Sequence, residues 1–135
     1  MTQKDKELLM KDLCARLPYR VKYMDLWNPD ELPTTLCDIN VDVELIMNTD
    51  GFSLEIEKCK PYLFPLSSMT EEQKREYNFW KHEVPVCHYE YGDVVEEIEL
   101  YDSPASFEYL IENHFDYRGL IPMGLALDAT GKNIY

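Results

Sequence analysis

Between residues 3 and 17 the apolar positions Leu8, Leu9, Leu13, Cys14 and Leu17 recur three to five residues apart, with charged residues between them. That spacing predicts an amphipathic helix over 3–17. Thr2 and Asp5 are placed as a capping box at its start, and Pro18 stops it. Residues 19–27 alternate as a strand, and 28–33, with two prolines and two acids, read as a loop. The clearest period of two follows. Ile39, Val41, Val43, Leu45 and Met47 alternate with Asp38, Asn40, Asp42 and Glu44, which predicts a strand with the first set on the core and the second in water. Asn48-Thr49-Asp50-Gly51 reads as a turn, and Phe52, Leu54 and Ile56 resume the alternation, completing a β-hairpin.

Residues 60–69 carry Pro61 and Pro65, so they read as an extended segment that cannot be a central strand. Thr70-Glu71-Glu72-Gln73 is a second capping box and opens a helix to about His82. Residues 84–91 read as a strand, and 94–101 as a further strand or a mobile acidic loop. Ser103 and Pro104 suit the N-cap and first position of a helix that runs to about His114 and buries Phe107, Leu110 and Ile111. The glycine-rich tail is irregular. Strands joined by hairpins, without regular alternation with helices, imply an α+β fold. The expectation is one domain over residues 1–135, an antiparallel sheet of four or five strands with about three helices packed on it.

Charge changes the picture more than composition does. The formal net charge is −13, and it is segregated. Residues 23–57 hold nine acids and residues 82–117 hold ten, and neither stretch contains a Lys or Arg. Such a chain repels nucleic acid and anionic membrane and favours basic or neutral partners. The N-terminus has no apolar signal segment, and the longest mostly apolar run, 120–127, is far short of a membrane span. A soluble, cytoplasmic protein is expected. Cys14, Cys37, Cys59 and Cys87 form no C-x-x-C pair and read as small buried hydrophobes in a reducing compartment. Ten tyrosines suit half-buried edges or a contact surface.

No catalytic, metal or cofactor motif stands out. Asp38-x-Asn40-x-Asp42-x-Glu44 begins like a calcium loop, but the sixth and twelfth positions hold Val43 and Thr49 where that loop needs Gly and Glu. On a strand these acids are simply the wet face. Cys87 and His88 are neighbours on a strand and so point to opposite faces. His82 and His114, each at a predicted helix end, suit the dipole there. Ser67 and Ser68 read as residues ordering the start of the following helix rather than as nucleophiles. Arg118 is the only Lys or Arg between Lys81 and Lys132, and a guanidinium in so acidic a setting suits clamping carboxylates or terminal carbonyls. Its other reading is a contact with a partner or a ligand carboxylate. The run Glu90, Asp93, Glu96, Glu97, Glu99 and Asp102 is interleaved with Tyr89, Tyr91 and Tyr101. Tyr91, Glu96, Glu97, Glu99, Tyr101 and Arg118 are the candidate partner-binding residues.

Three segments carry a resemblance: Asp12-Leu13-Cys14-Ala15-Arg16-Leu17-Pro18-Tyr19, Lys60-Pro61-Tyr62-Leu63-Phe64-Pro65-Leu66-Ser67-Ser68-Met69-Thr70 and Phe115-Asp116-Tyr117-Arg118-Gly119-Leu120-Ile121. Together they resemble a family of small uncharacterised proteins of gut anaerobic bacteria, often in prophage-like regions. The resemblance implies an accessory protein of a mobile element in the bacterial cytoplasm, and carries over no catalytic residue. The functional expectation is a non-enzymatic acidic binding or regulatory protein. Its partner would be basic, in the sharpest form a nucleic-acid-binding protein whose phosphate sites the carboxylates occupy. The alternatives are a small enzyme with a site near Cys87, His88 and Arg118, and a structural part of a phage assembly.

Overall fold

A computed structural model describes all residues, 1–135. The fold is α+β, as the pattern predicts, with three α-helices, a six-stranded sheet and a separate two-stranded hairpin. The residues group into two compact units, Met1–Ser68 with Ile111–Tyr135, and Met69–Leu110.

The first unit holds helix α1 (Gln3–Arg16) and the sheet. Its strands are β1 (Lys22–Asp25), β2 (Thr34–Asn40), β3 (Leu45–Asn48), β4 (Ser53–Glu55), β5 (Cys59–Leu63) and, from the C-terminal end of the chain, β8 (Leu127–Asp128). They lie in the order β4-β3-β2-β1-β5-β8, antiparallel except for the parallel pair β5–β8. The sheet is therefore mixed and has more strands than expected. Thr2 and Asp5 close the predicted capping box on α1. Leu9, Met10 and Leu13 of the helix pack with Val21, Tyr23, Leu36, Ile46, Ile56, Cys59, Leu63 and Leu120 in one apolar cluster. Cys14, expected inside, is exposed, while Asp12 and Arg16 are fully buried. Of the four cysteines only Cys59 is buried.

Two strand expectations are corrected. The run Ile39 to Met47 is not one strand. β2 and β3 are joined by a turn at residues 41–44, so Val41 and Val43 stand 59% and 57% exposed at its tip. Asn40 causes the break: its side-chain oxygen accepts the Asp42 N–H at 3.2 Å, a local turn bond that competes with the ladder. Glu44 takes the left-handed backbone, with φ 55°, and Lys6 lies 3.6 Å from its carboxylate. A bulge between Leu36 and Asp38 also shifts the register. Ile46 is the core residue of β3, and Met47 faces out. Of the four pseudo-calcium positions, Asp38 and Asn40 are on the exposed face of β2, as expected, whereas Asp42 and Glu44 belong to the turn.

β5 is an interior strand in spite of Pro61. The Leu26 N–H donates to Lys58 O at 2.9 Å, so by alternation Met24 and Lys60 exchange bonds, while Tyr23 and Pro61 face each other without one. Pro61 therefore directs its donorless nitrogen away from β1, and the pairing with β8 starts only at Tyr62. No ladder bond is lost.

The second unit holds helix α2 (Glu71–Phe79), the hairpin of β6 (His82–Glu90) and β7 (Asp93–Tyr101), and most of α3 (Pro104–Glu112). Thr70 and Gln73 form the predicted box on α2, and the Ser106 N–H donates to the Ser103 hydroxyl at 3.1 Å at the start of α3. In α3 the buried residues are Ser106, Tyr109 and Leu110; Phe107, expected inside, is 41% exposed.

Candidate partner-binding hairpin

Residues 93–101 form a paired strand rather than a loop. β6 and β7 match residue for residue from His82↔Tyr101 to Glu90↔Asp93. The two-residue turn Tyr91-Gly92 has φ of 51° and 85°, the left-handed pair that matches strand twist, and Gly92 takes its share without strain. Nine residues per strand give an arm of about 30 Å.

The register divides the arm into two faces. One carries His82, Val84, Val86, His88 and Glu90 opposite Tyr101, Glu99, Glu97, Val95 and Asp93. On this face Val86, His88 and Val95 are half-buried. The other carries Glu83, Pro85, Cys87 and Tyr89 opposite Leu100, Ile98, Glu96 and Val94. There Tyr89 is 82%, Ile98 68% and Val94 61% exposed, an open apolar stripe. Six acids line the arm, Glu83, Glu90, Asp93, Glu96, Glu97 and Glu99, and no Lys or Arg does. Glu96, Glu97 and Glu99 each stand opposite an uncharged side chain, and Glu90 faces Asp93 directly. No Lys or Arg on the arm neutralises them.

Its base is tied to the helices of the same unit. The Ser103 hydroxyl donates to Trp80 O at 2.5 Å, the Tyr109 hydroxyl donates to Glu76 at 2.9 Å, and the Tyr77 hydroxyl donates to Asp102. Burial, then the Asp102 carboxylate, pushes the Tyr77 phenol up. Lys81, the last cation before the arm, lies 4.3 Å from the Tyr77 ring centre.

The predicted site residues are placed as follows. Tyr91 is at the tip and 98% exposed. Glu96 is on the apolar-stripe face, and Glu97, Glu99 and Tyr101 on the other. The Tyr101 hydroxyl donates to Glu99, whose carboxylate raises it above the usual phenol range. Cys87 and His88 sit on opposite faces; Cys87 Sγ is 4.0 Å from Glu96 Oε1 and His88 Nε2 is 3.8 Å from Glu90. Arg118 belongs to the first unit, where its Nε donates to Asp12 Oδ1 at 3.2 Å. This is the internal clamp anticipated for it. The sequence pattern did not join Val94 and Ile98 to Tyr89 as a stripe, because Glu96 falls between them and Val95 on the other parity, so that 94–100 shows no clean period of two.

Asp12 is the centre of a buried ion cluster. Arg16 Nε donates to its Oδ2 at 2.8 Å, and Arg16 continues to Phe115 O at 2.6 Å. Phe64 and Phe115 form a parallel bridge, and the Asp116 N–H donates to Phe64 O at 2.8 Å. The three segments quoted above thus meet around Arg16, and their residues there serve packing and charge pairing.

His114 is not a charged dipole partner at a helix end. It takes the left-handed backbone with φ 64° and stacks on Tyr135 at 3.7 Å. Burial, helped by Arg16 and Lys22, lowers it to about 4, so it is neutral. The unfolded chain gains this proton near 6.5 and the folded chain only near 4, so stability falls as pH drops through that window. After allowance for partial exposure the loss is about 1–2 kcal/mol. Urea unfolding at pH 7 and pH 4.5 checks this: the pH-dependent loss should be smaller by that amount in His114→Asn, which also accepts the left-handed backbone.

No helix is long and apolar enough to cross a membrane, and no group of three or more His, Cys, Asp or Glu could hold a metal ion. Compared with known protein families, curated proteins and solved structures, the chain matches none.

Proposed function

We propose that this chain is a non-enzymatic binding protein whose β6–β7 arm docks on a basic protein partner. The carrying observation is the joint presence, on one exposed hairpin, of six acids with no Lys or Arg and an open apolar stripe. Carboxylates alone would serve solubility. Beside Tyr89, Val94 and Ile98 they supply both the steering and the apolar contact that a protein interface uses. The resemblance to proteins of prophage-like regions favours an accessory role, with a nucleic-acid-binding protein as the partner class.

A photo-crosslinker at Tyr91 tests this in bacterial lysate. The wild-type chain should capture a basic protein, less so as salt rises from about 0.05 to 0.3 M. Glu96→Lys, Glu97→Lys and Glu99→Lys together should reduce capture by about tenfold or more, some 1.4 kcal/mol. Duplex DNA should compete if a nucleic-acid site is occupied. Capture that ignores both salt and the charge reversal would overturn the proposal.

A further inference from the structure

The arm is open along one edge and shielded along the other. The two-residue turn makes Glu90↔Asp93 a hydrogen-bonded pair, and bonded pairs then alternate down the ladder. His88↔Val95, Val86↔Glu97 and Val84↔Glu99 spend their backbone groups inward. Val94, Glu96, Ile98 and Leu100 therefore turn theirs outward from β7, and Glu83, Pro85, Cys87 and Tyr89 from β6. No third strand joins this sheet, and no backbone hydrogen bond leaves the outer edge of β7. On β6 the outward row is interrupted by Pro85, which has no N–H, the usual means of discouraging strand addition. β7 has no proline and offers an unbroken row of donors and acceptors.

We propose that the outer edge of β7 receives an extended basic segment of the partner as a third strand of the arm. This rests on the reading of the arm as a docking element. Charge selects the occupant: β7 carries Asp93, Glu97 and Glu99 on one face, the stripe residues Val94, Ile98 and Leu100 with Glu96 among them on the other, and no cation, so a strand alternating basic and apolar residues meets opposite charge on the first face and the stripe on the second. A second copy of the chain would bring like charges face to face.

The probe is a nine-residue peptide alternating lysine and valine, the length of β7. Its control is the same peptide N-methylated at every residue, which deletes the donors of both its edges. Binding is followed by titration, and by amide exchange of Val94, Glu96, Ile98 and Leu100. The plain peptide should bind and slow those four amides, and the N-methylated one should bind about tenfold more weakly or worse. Glu96→Pro, which removes an outward donor but no hairpin bond, should lose about as much. Glu96→Gln should lose less, and Cys87→Pro, directly opposite on the shielded edge, should bind like the wild type. Equal binding of both peptides with unchanged exchange of those amides would overturn strand addition and leave the docking role standing. No binding of either peptide, with no salt-sensitive capture from lysate, would overturn both. A dimer of the chain lost in Glu96→Pro would overturn the basic occupant. Should Glu96→Pro disturb the hairpin, the N-methylated peptide decides alone.

Discussion

Asp12→Ala is expected to lower the unfolding free energy by about 3–5 kcal/mol, the cost of leaving buried charge without its partner. Asp12 and Arg16 are both wholly inaccessible to solvent, and Asp12 accepts from two guanidinium groups, Arg16 at 2.8 Å and Arg118 at 3.2 Å. Removing the carboxylate leaves buried Arg16 with the Phe115 carbonyl but without its counter-charge, and frees Arg118 from α1. Arg16 already has one side-chain nitrogen, Nη1, without a hydrogen bond, so it has little reserve. Asn at this position keeps one acceptor and should lose less than Ala. Urea denaturation checks this. The midpoint should fall with an unchanged slope, and the melting temperature should drop by on the order of 10 °C. A loss below about 1 kcal/mol would mean that the cluster does not hold the N-terminal helix to the C-terminal segment.

Asp116→Asn is expected to cost about 2–3 kcal/mol, because a buried donor loses its acceptor. The two oxygens of Asp116 accept the Leu120 and Ile121 N–H groups, each at 2.8 Å, and the residue is only 6% exposed. An amide offers one oxygen and turns an NH2 towards the other donor. Leu120 is fully buried, so water cannot replace the lost acceptor. The same urea measurement, with amide exchange at residues 120 and 121, checks it. Those two amides should exchange faster in the variant, and unchanged exchange would count against the account.

The two acids show how far charge segregation could be interpreted from the chain. Asp116 lies inside the second acidic stretch, yet it is an internal cap for two backbone donors. Asp12 lies outside both stretches and holds the deepest ion cluster. A count of charges does not separate these roles, since the donors arrive from residues 4, 5 and 106 positions away. On the hairpin the position is reversed. Glu96, Glu97, Glu99, Tyr91 and Tyr101 were singled out by composition alone, and they do share one exposed arm. Arg118, grouped with them for its isolation, is bound to Asp12.

The chain by itself determined the helix starts and the α+β class. The capping boxes at Thr2 and Thr70 and the Ser103 cap are closed by residues within three positions, so local sequence suffices. It also determined the acidic character of the arm. The tertiary structure alone decided the strand register between residues 36 and 48, because Asn40 suits a turn as well as a wet strand face. It decided the place of Pro61, whose missing donor is harmless only because that nitrogen points away from β1. It decided the open edge of β7 as well, since which backbone groups face out depends on where the pairing with β6 begins. Local bonds are written in adjacent residues, whereas partners, registers and free edges exist only once distant segments have met.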